Sequence, residues 1–156
     1  MSIDSFRGKY AFLSNFYLSP FTIKNREYKT VEHFFQSCKT EDFEEQEKIR
    51  NSKSPSEAKK LGKKVKLRDD WELVKVTFMY LGLLCKFEQN KDLAKKLIDT
   101  GDLELIEGNN WNDTYWGVCN GNGKNILGKL LMNIRNKLIL CGCPVGADYE
   151  GGYNHG

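Results

Sequence analysis

The spacing of apolar positions divides the chain into several helices joined by short polar stretches. Thr30 precedes Val31-Glu32-His33-Phe34-Phe35-Gln36-Ser37-Cys38-Lys39, a largely apolar run whose other polar residues recur three and four apart. That spacing predicts a short helix capped by Thr30, with Glu32, Gln36 and Lys39 forming a polar stripe framed by Val31, Phe34, Phe35 and Cys38. Residues 41–50 are charged and predict a surface helix. Ser54-Pro55-Ser56-Glu57 supplies a cap, a first-position proline and a third-position carboxylate, a capping box, and Gly62 is the expected stop. Asp69 as cap, with Glu72 behind it, opens the longest helix. There Val74, Phe78, Leu81 and Leu84 recur at helical spacing, and Leu73, Val76, Tyr80, Leu83 and Phe87 fill much of the remaining girth. A helix so apolar is expected at the centre of the core. Asn90 and Gly101 bracket a short helix over 91–99. A last helix over 125–140 places Leu127, Leu130, Leu131, Ile134 and Leu138 on one face.

Strand signals are thinner. Residues 6–28 alternate aromatic and small residues around turns and read as short strands or extended loop. Leu103-Glu104-Leu105-Ile106-Glu107 reads as one more short strand. The expected architecture is α+β and helix-dominated: one domain over residues 1–145, with short strands around a central apolar helix. The Gly-rich polar stretch 146–156 reads as a flexible tail.

Composition narrows the function. The chain has 156 residues, 40% hydrophobic and 29% charged, enough for one domain with a core. Its net charge of +3 is too small to argue for nucleic-acid binding by itself, and it suits a phosphorylated small substrate. No apolar run approaches the ~20 residues of a membrane span, and Met1-Ser2-Ile3-Asp4-Ser5 lacks signal-peptide character. The five cysteines are odd in number. Cys141-Gly142-Cys143 lacks zinc-knuckle spacing, and only His33 and His155 could add imidazoles, so no metal site is expected. The expected setting is reducing and cytoplasmic, with no membrane partner.

Three clusters carry candidate chemistry. The Glu32-Gln36-Lys39 stripe is either a solvated helix edge or the wall of a cleft; the helix dipole favours the Glu32 anion while burial opposes it. In Gly108-Asn109-Asn110-Trp111-Asn112-Asp113-Thr114-Tyr115-Trp116-Gly117, Asp113 is either a turn former or a functional carboxylate. Flat rings beside amides would also suit a nucleobase. Gly121-Asn122-Gly123-Lys124-Asn125 is either a connector or an anion-binding turn at a helix start, though not a phosphate-binding loop of the Walker type.

Read together, these blocks resemble a known family. Ser14-Asn15-Phe16, Glu32-His33-Phe34-Phe35-Gln36, Ser54-Pro55 with Ala58 and Leu61-Gly62, and Trp71 with Lys75 occur in order. Lys86-Phe87-Glu88, Asn112-Asp113-Thr114-Tyr115-Trp116-Gly117, Gly123-Lys124-Asn125 and Leu127-Gly128 follow. The pattern, from about residue 6 to 138, resembles the NADAR (YbiA-like) family. The resemblance implies an N-glycosidase cleaving a bond between ribose C1 and nitrogen. One branch acts on ribosylamino-pyrimidine phosphates early in riboflavin biosynthesis, and another removes ADP-ribose from guanine. Gly108 to Trp111 and Val118-Cys119-Asn120 look unlike the riboflavin-linked bacterial members, which leaves the branch open.

The resemblance carries functional positions to Glu32, Trp71 and Asp113. Glu32 is expected as the first catalytic carboxylate, near C1, and Asp113 as the second. Trp71 and Trp116 are expected to stack on the base. Lys124, the Gly123 N–H and Lys39 are expected at the phosphate, and Asn15, Phe16, Gln36, Tyr115 and Asn125 complete the substrate-binding set. The expected partner is a phosphorylated ribosyl or nucleotide-like small molecule, or ADP-ribosylated nucleic acid, with no cofactor. The alternative reading is a non-catalytic module that binds ADP-ribose or a related nucleotide.

Overall fold

A computed structural model describes residues 1–141 of the chain, so the expected tail and the end of the expected domain lie outside the described residues. Within them the fold is α+β and helix-dominated, as expected. Thr30 caps α1 (Val31–Ser37), its hydroxyl accepting the His33 N–H at 3.1 Å. Asp42 caps α2 (Phe43–Arg50), and Ser54 caps α3 (Pro55–Gly62) with Pro55 in the first turn. These three helices pack together at one side of α4 (Trp71–Gln89).

At 19 residues, α4 is about 28 Å long. It contacts α1, α5 (Lys91–Asp99) and α6 (Ile126–Leu140), which makes it central. Two details differ from the sequence reading. The helix starts one residue later than Asp69 predicts: Asp70 holds the cap position, and its carboxylate pairs with Arg68 at 2.6 Å instead of capping. Its apolar girth is also not all core. Met79, Leu83 and Phe87 face inward, whereas Leu73 is 86% exposed because it lies two residues along the helix from the buried Trp71, on the opposite face. Lys86 shares the inward face. It is fully buried, donates to the carbonyls of Phe12 at 2.6 Å and Ser14 at 3.1 Å, and so anchors the segment that leads into Asn15. Burial pushes its pKa down to about 7.

The strands form three two-stranded ladders. Residues 6–28 hold a 3-10 helix (Gly8–Leu13) and the hairpin of β2 (Phe21–Ile23) with β3 (Arg26–Tyr28). Lys24 and Asn25, both at positive φ, make its tight turn. β1 (Ser2–Ile3) runs parallel to β4 (Glu104–Leu105), so the start of the chain braces the segment leading to Glu107. β5 (Gly108–Asn109) runs parallel to β6 (Val118–Cys119), closing the aromatic loop between them. Among the described residues no helix is long and apolar enough to cross a membrane.

Candidate active site

One cleft of about 570 Å³ opens between the 14–16 segment, α1, α3 and the 107–116 segment. Glu32 enters it from the first turn of α1. Its backbone N–H donates to the Asn15 carbonyl at 3.1 Å, and its Oε1 accepts the Gln36 Nε2–H at 2.7 Å, one helical turn on. The side chain is 7% exposed. Burial raises its pKa, and Asp113 adds to that, while the Gln36 hydrogen bond, Lys59 and Lys39 oppose it. His33, next in sequence, faces away into the protein, its Nδ1 2.7 Å from Thr30 Oγ1 and its Nε2 3.1 Å from the Ser52 carbonyl.

Gln36 holds its position because Gly62 has no side chain: a Cβ there would overlap the Gln36 amide. Gly62 is the last residue of α3 rather than a residue beyond its end, so close packing, not helix termination, explains it. Lys59, one turn earlier on α3, lines the cleft beside Lys39. Burial lowers the Lys39 pKa; Glu32 opposes that, and Lys59 and Lys63 reinforce it. A negatively charged ligand group would relieve that crowding of cations.

Asp113 faces the same cleft and also shapes its own loop. Its Oδ1 accepts the N–H groups of Tyr115 at 3.1 Å and Trp116 at 2.9 Å, while Asn109 bridges its backbone on both sides. Both roles anticipated for this residue are therefore compatible. Trp116 lies at the cleft with its ring edge-on to Phe35, centroids 5.4 Å apart. Trp71 lies one layer behind. It is buried against Phe35 at 5.1 Å and Phe78 at 6.4 Å, outside the lining, whereas Trp116 and Phe35 belong to the cleft wall.

Of the other expected residues, Asn15, Phe16, Gln36 and Lys39 line the cleft, whereas Tyr115, Gly123, Lys124 and Asn125 do not. Lys75 sits 4.1 Å from the Tyr115 ring centroid and Lys124 5.7 Å, both away from the lining. Asn125 has a structural task. At φ 53° it starts α6, its Nδ2–H donating to the Leu105 carbonyl and its Oδ1 accepting the Glu107 N–H, which fixes the strand end from which Glu107 reaches the cleft. The Gly123-Lys124-Asn125 turn thus serves the cleft through the chain it clamps.

Glu107, Lys59 and Arg7 line the cleft although the sequence reading assigned them no role, and Trp111, part of the aromatic stretch noted there, lines it too. Glu107 was detectable in principle: Leu103, Leu105 and Glu107 share the parity of one strand face, and a carboxylate on an apolar face is anomalous. Burial first, then the charges of Asp113 and Glu32, push its carboxyl up to about 7, with Lys59 opposing. Three buried acceptors of cleft residues, Asn15 Oδ1, Gln36 Oε1 and Glu107 Oε2, have no partner among the described residues. Each such group costs ~1–3 kcal/mol until a donor reaches it. A polyhydroxylated ligand supplies donors of that kind.

One cleft thus combines carboxylates, cations and an aromatic wall. The NADAR domain model matches residues 4–139, and the chain belongs to the NADAR family. It is 40% identical over 134 residues to N-glycosidase YbiA of Shigella boydii, covering 84% of this chain and 83% of that protein. A riboflavin biosynthesis protein of Vibrio vulnificus is 35% identical over 83% of this chain, which spans 36% of that larger protein. The solution structure of Escherichia coli YbiA superimposes with a TM-score of 0.82 at 35% identity, covering 96% of this chain and 90% of that one. The chain is an enzyme of the N-glycosidase class.

Proposed function

We propose that the substrate is an N-ribosyl compound carrying a phosphate, of the ribosylamino-pyrimidine phosphate type, and that the cleft hydrolyses its C1–N bond. The observation that carries this reading is the convergence of Glu32, Asp113, Lys39 and Lys59 on one cleft whose remaining buried acceptors await donors. The ribose lies beside Asn15 and Gln36. The phosphate pairs with Lys39 and Lys59, a task the sequence reading had given partly to Lys124. The base lies against Trp116 and Phe35. The riboflavin-linked name of the Vibrio relative supports this substrate class.

The chemistry follows from the charges. As the C1–N bond lengthens, positive charge grows on the sugar, and an anion beside C1 stabilises it. Glu32 is placed for this, steadied by Gln36, and can take a proton from the attacking water. Asp113, its Oδ1 committed to the loop, presents a fixed acceptor on the facing wall.

Glu32→Gln should lower release of free base by ~10²–10⁴-fold in a chromatographic assay, with an unchanged melting curve. Full turnover in that variant would remove Glu32 from the mechanism. The assay should offer ribosylamino-pyrimidine phosphates and ADP-ribosylated guanosine side by side. Exclusive cleavage of the latter would overturn the substrate assignment.

A further inference from the structure

The C1–N bond gives its electron pair to a nitrogen that must also gain a proton, and neither expected carboxylate is well disposed to supply it. Glu32 already accepts a hydrogen bond from Gln36 and faces Lys39 and Lys59, all of which favour its anion, although burial, the largest influence, raises its pKa. Asp113 accepts two backbone N–H groups on one oxygen. We propose that Glu107 is the third catalytic carboxyl and donates the proton to the leaving nitrogen; the proposal rests on the N-glycosidic substrate argued above.

Geometry carries the assignment. The Glu107 backbone is fixed from both sides, its N–H donating to Asn125 Oδ1 at 3.0 Å and its carbonyl accepting the Val118 N–H at 2.8 Å. Its side chain lines the same cleft as Glu32 and Asp113. Oε2 is buried, without a donor among the described residues, beside Gly117, where a Cβ would collide with it. A buried carboxylate without donors is costly, whereas a carboxylic acid in that place has an O–H to give. The groups facing it agree: Asp113 and Glu32 repel its anion, and Lys59 is the opposing cation. Burial and those charges bring its carboxyl to about 7, the range in which an acid serves best at neutral pH.

The step balances. The C1–N bond breaks with its electrons on nitrogen, which takes the Glu107 proton. Water adds to C1 and gives its proton to Glu32. Products are the free N–H base and the ribose phosphate, and proton exchange with solvent returns Glu107 to the acid and Glu32 to the anion.

Carbon-13 titration of glutamate carboxyls in the intact protein, compared with Glu107→Gln, reads the proton without any substrate. One carboxyl titrating near neutrality should vanish in the variant. On the ribosylamino substrate Glu107→Gln should lose ~10²–10⁴-fold in kcat, with KM little changed and the alkaline fall of the pH profile gone. With 4-nitrophenyl ribofuranoside 5-phosphate, whose leaving group departs as an anion, the loss should shrink to less than about tenfold, since no proton is required. Glu107 ionised throughout pH 5–8, or equal losses on both substrates, overturns the assignment. An unreactive wild type would instead sink the substrate reading, while the titration still decides whether Glu107 holds a proton.

Discussion

At the scale of single residues, the cleft sets carboxylates against the stability of the fold. Glu107 has an ordinary glutamate value of 4.5 when unfolded and about 7 when folded. Between those values the folded chain binds more protons than the unfolded one, so stability falls as pH rises, and the loss is complete above about 7. Glu107→Gln abolishes that slope. Urea unfolding should find the variant equal to wild type near pH 4 and more stable by roughly 2–3 kcal/mol at pH 8. Equal stability of the two proteins at pH 8 would contradict the burial of this carboxyl. The sequence showed Glu32 because a carboxylate inside an apolar helix is conspicuous. It hid Lys59 because charge looks ordinary in its stretch, and it left Glu107 as an anomaly of parity beside a strand too short to read; only the packing of distant segments brings both to the cleft.

At the scale of elements, the helices were legible and the reasons for some of their residues were not. Thr30 and Ser54 cap as their side-chain chemistry predicts, since capping is a local hydrogen bond. Leu73 and Gly62 could not be read the same way. The exposure of one and the close packing of the other depend on neighbours far along the chain. Gly62→Ala tests this distinction. Helix propensity alone would stabilise α3 by roughly 0.5–1 kcal/mol. The added methyl instead meets the Gln36 amide, and overpacking of this sort costs ~1–3 kcal/mol. We expect a lower melting temperature together with reduced kcat, because displaced Gln36 releases Glu32. A more stable, fully active variant would show that Gly62 ends a helix and nothing more. The short strands were scarcely legible. Two-residue ladders leave almost no periodicity to read, and their pairing is non-local.

At the scale of the whole molecule, a net charge of only +3 conceals a concentrated cationic wall. Lys39 and Lys59 line the cleft together with Glu32, Asp113 and Glu107, and Lys63, just past α3, acts on Lys39. Composition could exclude little here because it averages over position. Replacing Lys39 or Lys59 with Met should raise KM for the phosphorylated substrate by ~10–100-fold, the worth of one charge-assisted hydrogen bond. For the same compound without its phosphate the change should be small. Equal effects on both compounds would place the phosphate outside this wall.

The parallel pairing of β1 with β4 has a bearing on how the enzyme comes into being. Ser2 and Ile3 leave the ribosome well before their partners Glu104 and Leu105, which follow only after five helices have been made, and Asn125, which clamps Glu107, comes later still. Contacts between such distant segments close late in folding. Glu32 therefore waits on its helix, complete but without its counterpart, until the far half of the chain arrives. On the roles proposed above, a polypeptide that stops short of Asn125 carries Glu32 without a fixed Glu107, and cleavage would await the clamp that Asn125 supplies.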